Sequence, residues 1–216
     1  MSTTCKFCVK FAGNAPAGGS EAWDRILFAS TNFVVVPTVG SIVPGWLLVV
    51  PRKHFLCVGT MADALVHEMV ELRRVAANSL CTQFGPVASF EHGPAEPSMS
   101  VGCGVDHAHL HLVATSVHLL DGARQIARQP LSWTPVQGLQ ATAGYHQRKL
   151  SYLYAELPNG ESWVGTGPRI ESQLFRRVIA AASGRTDAFD WKCHSFEPNV
   201  RQTIHAVESW LSSQRV

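Results

Sequence analysis

Asp106-His107-Ala108-His109-Leu110-His111-Leu112-Val113 carries three histidines in five positions, each followed by a small or apolar residue. Alternation of this kind is the period of a β-strand, not of a helix. On a strand, His107, His109 and His111 project from one face, while Ala108, Leu110 and Leu112 face a core. Successive histidines then stand about 6–7 Å apart. At that spacing one ring can attack a reacting atom while its neighbours orient it, bind a metal or deliver a proton. Histidine is the side chain that can do all three near neutral pH. Gly102-Cys103-Gly104 leads into the run, and glycine there lets the backbone approach a ligand or offer it amide N–H groups. A solvated strand face rarely uses three imidazoles where Thr, Lys and Glu would serve, so the pattern predicts chemistry.

The surrounding elements must hold that strand. Residues 10–22 are small and turn-rich and read as a loop. Short β-type runs at 26–28 and 33–36 flank Ser30-Thr31-Asn32, a predicted hairpin. Residues 45–51, Gly-Trp-Leu-Leu-Val-Val-Pro, read as a buried central strand. Thr60 as N-cap, with Asp63 three residues on, predicts a helix start; Leu65, Met69, Leu72, Ala76 and Leu80 form its core stripe. Gly85-Pro86 ends that helix, and 87–91 opens another strand. Residues 115–143 read as polar and irregular, with a short helix near 119–127. Pro158-Asn159-Gly160 between 152–157 and 162–164 predicts a hairpin. Helices are expected over 171–182, stopped by Gly184, and over 200–211. Trp191 and Trp210 read as packing residues.

The chain has 216 residues and is 46% hydrophobic, enough for one large domain, or one with an extension. No apolar run approaches the roughly 18–20 residues of a membrane span. Residues 1–5 lack a basic start followed by an apolar stretch, so no secretory signal is expected. The net charge of +2 is too small for a nucleic-acid coat or a membrane-surface patch. Six cysteines are scattered at 5, 8, 57, 81, 103 and 193; without a signal they predict free thiols or metal ligands and a cytoplasmic location.

His107-Ala108-His109-Leu110-His111-Leu112-Val113 resembles the signature of the histidine triad (HIT) family. Gly45-Trp46-Leu47-Leu48-Val49-Val50-Pro51-Arg52-Lys53-His54 resembles that family's upstream strand, which ends in Pro, basic residues and His. Cys5-Lys6-Phe7-Cys8 resembles the N-terminal Cys pair of its zinc-containing bacterial members. The motifs stand in family order and cover roughly residues 5–115. The resemblance implies an α+β fold, a HIT-like antiparallel sheet with flanking helices, often dimeric, so that a homodimer is expected. It divides the chain into a HIT-like catalytic domain at 1–115 and a C-terminal hairpin-and-helices extension, 116–216, packing on it.

The resemblance also implies a reaction, attack on the α-phosphorus of a small-molecule nucleoside-phosphate conjugate. His109 would be the nucleophile, forming a nucleotidyl-histidine intermediate that water or another acceptor resolves. His111 would serve the phosphate oxygens or the leaving group. The bond split would be a phosphoanhydride, phosphoester or phosphoramidate. Hydrolysis is favoured over phosphorolysis because no Gly-rich Walker loop supplies a second phosphate cradle. Cys5, Cys8, His54 and His107 would form a closed tetrahedral zinc set of structural character. A Cys-x-x-Cys alone also admits a redox pair or two free thiols, but a redox pair should follow a strand.

Expected substrate contacts are Glu91, His92, Gly102, Cys103 and Gly104. Glu91 beside a phosphate would need a sugar hydroxyl, a cationic group or a proton as partner. From the extension, Arg169, Gln173 and Arg176 are spaced i, i+4, i+7 along one face of the helix begun at 171 and would bring arginine to phosphate oxygens. Tyr145, His146, Arg148 and Lys149 are weaker candidates for that task. Residues 37–40, Pro-Thr-Val-Gly, lack the carboxylate with which family members commonly hold ribose. Cys103 and Gly104 replace a polar pair that helps the leaving group in several members. Two other functional readings stand beside the enzyme: a zinc-stabilised nucleotide-binding or regulatory module, and a specialised HIT-scaffold enzyme acting on a non-nucleotide substrate. The intact triad speaks against the first, since binding alone has no need of His109.

Overall fold

The structure is a computed structural model and describes residues 5–11, 21–99, 101–102 and 104–214. Cys103, expected at the site, lies outside the described residues. Strands that are apolar on both faces need cover on both sides of their sheet. Phe33–Pro37 (β2) and Trp46–Pro51 (β3) are buried at every position. They join Phe28–Ala29 (β1), Val87–Gly93 (β4), Leu110–Ala114 (β5), Ser132–Val136 (β6), Tyr152–Glu156 (β7) and Ser162–Thr166 (β8). The eight strands form one sheet in the order β1-β2-β3-β5-β4-β7-β8-β6. Every pairing is antiparallel, so the fold is α+β as expected. The predicted hairpin around Pro158-Asn159-Gly160 forms, and its first strand, β7, pairs with β4. The sheet that carries the histidines therefore runs unbroken into the C-terminal half. No helix among the described residues is long and apolar enough to cross a membrane.

Asp63–Phe84 (α2) covers one face. Met69, Leu72, Ala76 and Leu80 pack there against Leu47, Val49, Leu110, Leu112, Tyr152 and Tyr154, joined by Val207 of Glu197–Ser213 (α6). The expected N-cap is displaced. Thr60 lies in a preceding 3₁₀ turn with its hydroxyl donating to Cys57 O at 2.7 Å, and Ala62 precedes the helix without a side-chain cap.

The other face is covered in two parts. Leu119–Ile126 (α3) and Leu174–Ala182 (α5) pack on Trp46, Phe90, Val113, Leu153 and Ala155. Phe11 of the short helix Lys6–Phe11 (α1) sits on Val34, Val36, Leu48 and Val50. The gap between these two covers is where a ligand can reach the sheet.

Two expectations fail. Residues 115–143 are not irregular, since they hold the edge strand β6 and the helix Thr142–Gln147 (α4). An edge strand tolerates Pro135 and mostly exposed side chains, which removes the apolar alternation that reveals strands. The helix expected from 171 begins at Leu174, because Gln173 adopts a left-handed conformation with φ 60°. Arg169 and Gln173 are thus outside it.

Period-two alternation also separates Glu91 from His92. Glu91 is 2% exposed and points toward α2, where it accepts from Val58 N–H and Tyr152 O–H, each at 2.7 Å. Burial pushes its carboxyl up to about 7, against the pull of those two donors. The folded state thus holds the proton more tightly than the unfolded chain. That stabilisation is complete below the unfolded pKa and is lost as pH rises through 7, about 3 kcal/mol in all. Glu91→Gln should therefore raise stability in urea denaturation at pH 8 and leave it nearly unchanged at pH 4. Equal effects at both pH values would refute a buried, titrating Glu91.

Candidate active site and metal cluster

The β-ladder explains how the histidines are presented. Leu48 of β3 and Phe90 of β4 both stand opposite His111 on β5. The ladder starts only at Leu110, and Ala108 N–H instead bonds Phe55 O at 2.7 Å. His107 and His109 therefore precede the strand proper, with a bend at His107. The expected alternation survives, because Ala108, Leu110 and Leu112 all enter the α2-side core.

Each imidazole is fixed by a different partner. His109 Nδ1 lies 2.7 Å from His107 O. A carbonyl only accepts, so Nδ1 carries the proton and the lone pair of the neutral ring is on Nε2. His111 is the reverse. Trp46 Nε1–H donates to His111 Nδ1 at 3.1 Å, which puts the His111 proton on Nε2. Phe90 stacks on the same ring at 4.4 Å. The two rings are 4.9 Å apart, one offering a lone pair and the other an N–H. Burial first, then positive charge from Arg176, holds His109 below the usual imidazole range; the His107 carbonyl opposes this. Burial, with His109, His92 and Arg176 adding, holds His111 well below that range. Both rings are neutral at pH 7.

His92 also reaches this face. Its Nε2 accepts from Phe175 N–H at 3.4 Å, its ring is 6.3 Å from that of His111, and burial, followed by His109 and Arg176, pushes it down to about 3. Arg176 is 1% exposed. Its Nε donates to Phe189 O at 2.9 Å and its Nη2 to Gly40 O, and the guanidinium lies 4.9 Å from the Trp46 ring centroid. Gly40, at φ +73°, has no room for a side chain; a Cβ would stand 2.6 Å from both Arg176 Nη2 and Trp191 Cβ.

These groups border a cavity of about 430 Å³ lined by His109, His111, Arg176, Phe7, Phe11 and Leu48, among others. It also takes in Lys6, Lys10, Asp24, Trp191 and Lys192, none of which the sequence singled out for binding. Asp24 is buried and paired with Lys10; it brings a carboxylate from a segment well upstream of residues 37–40. Trp191, expected only to pack, is part of the wall.

Several expected contacts do not converge here. Glu91 is on the opposite face, with Cys57, Tyr152 and His146 in its neighbourhood rather than the triad. Tyr145, His146, Arg148 and Lys149 lie on or just after α4, outside the cavity lining. Arg169 is exposed, and Gln173 bonds Asp190 at 3.4 Å. Gly102 gives its carbonyl to Ser172 Oγ at 2.7 Å, and Gly104 lines a neighbouring, larger cavity.

Beside the triad, Cys5, Cys8, His54 and His107 present four ligand atoms within 4.8 Å of one another, a set able to hold a metal ion. Cys5 Sγ is 3.3 Å from His107 Nδ1; Cys8 Sγ is 3.3 Å from His54 Nδ1 and 3.6 Å from His107 Nδ1. A tetrahedral ion with metal–sulfur bonds of about 2.3 Å and metal–nitrogen bonds of about 2.1 Å would set such edges near 3.6 Å. His107 Nε2–H donates to Pro51 O at 2.8 Å, leaving the Nδ1 lone pair turned toward the sulfurs. A backbone carbonyl on the far nitrogen is what orients a ligating histidine and fixes its tautomer. The donors fit a metal as they stand.

No family model matches the chain, and no curated protein matches it. Solved structures do. The chain is similar to a hypothetical histidine triad nucleotide-binding protein from Sulfolobus tokodaii, 14% identical over 42% of this chain and 59% of that one, with a TM-score of 0.36. The match thus spans under two thirds of the Sulfolobus protein. It is similar to a HIT family hydrolase from Clostridium thermocellum, 14% identical over 55% of this chain and 96% of that one, TM-score 0.37. It is also similar to yeast Ap4A phosphorylase Apa2 in complex with Ap4A, 12% identical over 82% and 74% of the two chains, TM-score 0.37. These are likenesses of fold at low identity, to proteins described as histidine triad members or as an Ap4A phosphorylase.

Proposed function

We propose that the protein is a HIT-type nucleotidyl hydrolase or transferase, cleaving a nucleoside-phosphate conjugate at its α-phosphorus through His109. One observation carries this reading: His109 and His111, neutral and in opposite tautomers, share a cavity with a buried arginine. His109 Nε2 would attack phosphorus while the bond to the leaving group breaks and that group takes the electron pair. A water oxygen would then attack the nucleotidyl-histidine, lose its proton to solvent and return His109 neutral with release of a nucleoside monophosphate. His111 Nε2–H and Arg176 would donate to the phosphoryl oxygens as charge builds on them. His111 does not act as a proton donor to the leaving group from an imidazolium, since the Trp46 indole N–H occupies its Nδ1.

Zinc is the metal we propose for Cys5, Cys8, His54 and His107, because two sulfurs and two imidazole nitrogens suit it. It would supply structure rather than an activated water. The chain's own ligands then tie α1 beside the cavity and hold His107, whose carbonyl in turn sets the His109 tautomer.

Mass spectrometry of protein quenched during turnover of nucleotide conjugates tests the reading. A nucleotidyl adduct on His109 supports it; turnover without that adduct refutes the covalent route. Arg176→Lys should lower kcat/KM about 100-fold, because an ammonium cannot span Phe189 O and Gly40 O and still face phosphate. Steady-state kinetics beside the wild type checks this, and an unchanged value would remove Arg176 from the site.

A further inference from the structure

Residues 38–45 lead from β2 into β3, and the C-terminal half of the chain holds this turn at one point after another. Arg176 Nη2 donates to Gly40 O, and Gly40 N–H donates to Ser195 O at 2.9 Å. Asn199 Nδ2 donates to Ser41 O at 2.7 Å and to Ile42 O at 3.0 Å. Thr203 Oγ1 accepts from Gly45 N–H at 2.8 Å and donates to Asn199 O at 2.8 Å, which fixes its hydroxyl in one orientation. The residue that follows Gly45 is Trp46, wholly buried at the start of β3.

Trp46 is where that grip reaches the triad. In the β3–β5 ladder Leu48 stands opposite His111 and Trp46 opposite Val113. Trp46 is therefore the diagonal neighbour of His111 on the same face of the sheet. Diagonal neighbours stand about 7–8 Å apart, a gap that aromatic side chains can span. The indole spans it, with Nε1–H donating to His111 Nδ1 at 3.1 Å. Tryptophan has a single polar atom, a donor that does not accept. A hydroxyl or an amide in its place could do both and would let His111 exchange tautomers. Arg176 lies over the indole, 4.9 Å from its centroid, where the negative face of the ring attracts a cation. Its charge polarises the ring and strengthens the N–H as a donor. Phe90, edge-on to Trp46 at 6.0 Å and stacked on His111 at 4.4 Å, closes the cluster.

We propose, on the basis of the nucleotidyl-transfer reading above, that the C-terminal half of the chain acts on the triad through Trp46. Trp46 is then a positioning residue. α5 and α6 hold the turn before it and Arg176 holds its face, so that the indole keeps His111 Nε2–H set toward the phosphoryl oxygens before a substrate arrives.

Nitrogen NMR of isotope-labelled histidine reports the state of the His111 ring at pH 7 without turnover. Benzothienylalanine, placed at position 46 alone, keeps the shape of tryptophan and replaces its N–H with sulfur. Trp46→benzothienylalanine should move the His111 Nδ1 resonance. It should also lower kcat on the p-nitrophenyl ester of a nucleoside monophosphate about tenfold, the scale of one neutral hydrogen bond, with KM nearly unchanged. An unmoved resonance or an unchanged kcat overturns the positioning role. Thr203→Val, which removes the acceptor of Gly45 N–H, tests the route from α6. It should move the same resonance and lower kcat about threefold, and Thr203→Ser should restore both. In the benzothienylalanine background it should cost nothing further, because the two changes act through one bond. An equal loss in both backgrounds overturns the route through Trp46. Asn199→Ala, at a half-buried position, carries the same comparison where Thr203→Val does not fold. If wild type splits neither that ester nor any other nucleotide conjugate, the nucleotidyl-transfer reading fails, while the ring resonances still decide whether the C-terminal half sets His111 through Trp46.

Discussion

His109→Asn should fold, keep its metal and lose turnover of nucleotide conjugates by about 10⁴-fold or more, the scale on which removal of a covalent nucleophile is felt. Asparagine keeps an N–H for the His107 carbonyl, now bonded at 2.7 Å, but has no lone pair to give to phosphorus. The loss should fall on kcat, with substrate binding retained, since Arg176, Phe7, Phe11 and the rest of the cavity wall are untouched. Single-turnover kinetics and calorimetric binding would separate the two. Retained turnover in the variant would end the case for His109 as nucleophile, and lost binding would show that the ring is held for recognition instead.

The second large effect concerns the metal. One zinc per chain is expected by elemental analysis of protein purified without chelator. Its removal, or Cys8→Ser, should lower Tm by about 10 °C, from roughly 4 kcal/mol of linkage when the metal is a thousandfold above its Kd. The change should be local. Phe11 would leave Val34, Val36, Leu48 and Val50, and hydrogen exchange should quicken in α1 and β2 but not in α2. Uniform quickening, or an unmoved Tm with metal absent, would contradict a role in pinning α1.

Much of the site was legible because its chemistry follows short local patterns. The alternation from His107 to Val113 placed the three rings and their core-facing neighbours, and the four metal donors fall in motifs that each read locally. The rest depended on contacts between distant segments. Trp46 reads as a strand residue, and its indole finds His111 only because β3 and β5 are neighbours in a register that nothing in either strand announces. Arg176 was singled out on the assumption of a helix begun at 171; it reaches the site although that helix begins at Leu174, and Arg169 and Gln173, chosen on the same assumption, do not line the cavity. Glu91 and His92 were both expected beside the substrate, from one stretch of sequence. In a strand that adjacency means opposite faces. Asp24, Lys6 and Lys192 carry no local signal for binding, since single charged side chains look like solvated surface.

The last helix has a further bearing on when the molecule can work. Asn199 Nδ2 donates to Ser41 O at 2.7 Å, and Thr203 Oγ1 accepts from Gly45 N–H at 2.8 Å. Together with Arg176 on Gly40 O, these bonds fasten the approach to β3 with groups about 136 to 158 residues away along the chain. Closing loops of that length delays their formation relative to local helices and hairpins. The histidines and their strand leave the ribosome before the buried arginine, and α6, with Asn199 and Thr203, comes last. On the nucleotidyl-transfer reading proposed above, a half-made chain would carry the whole signature yet lack the buried arginine that borders the cavity until α5 has docked.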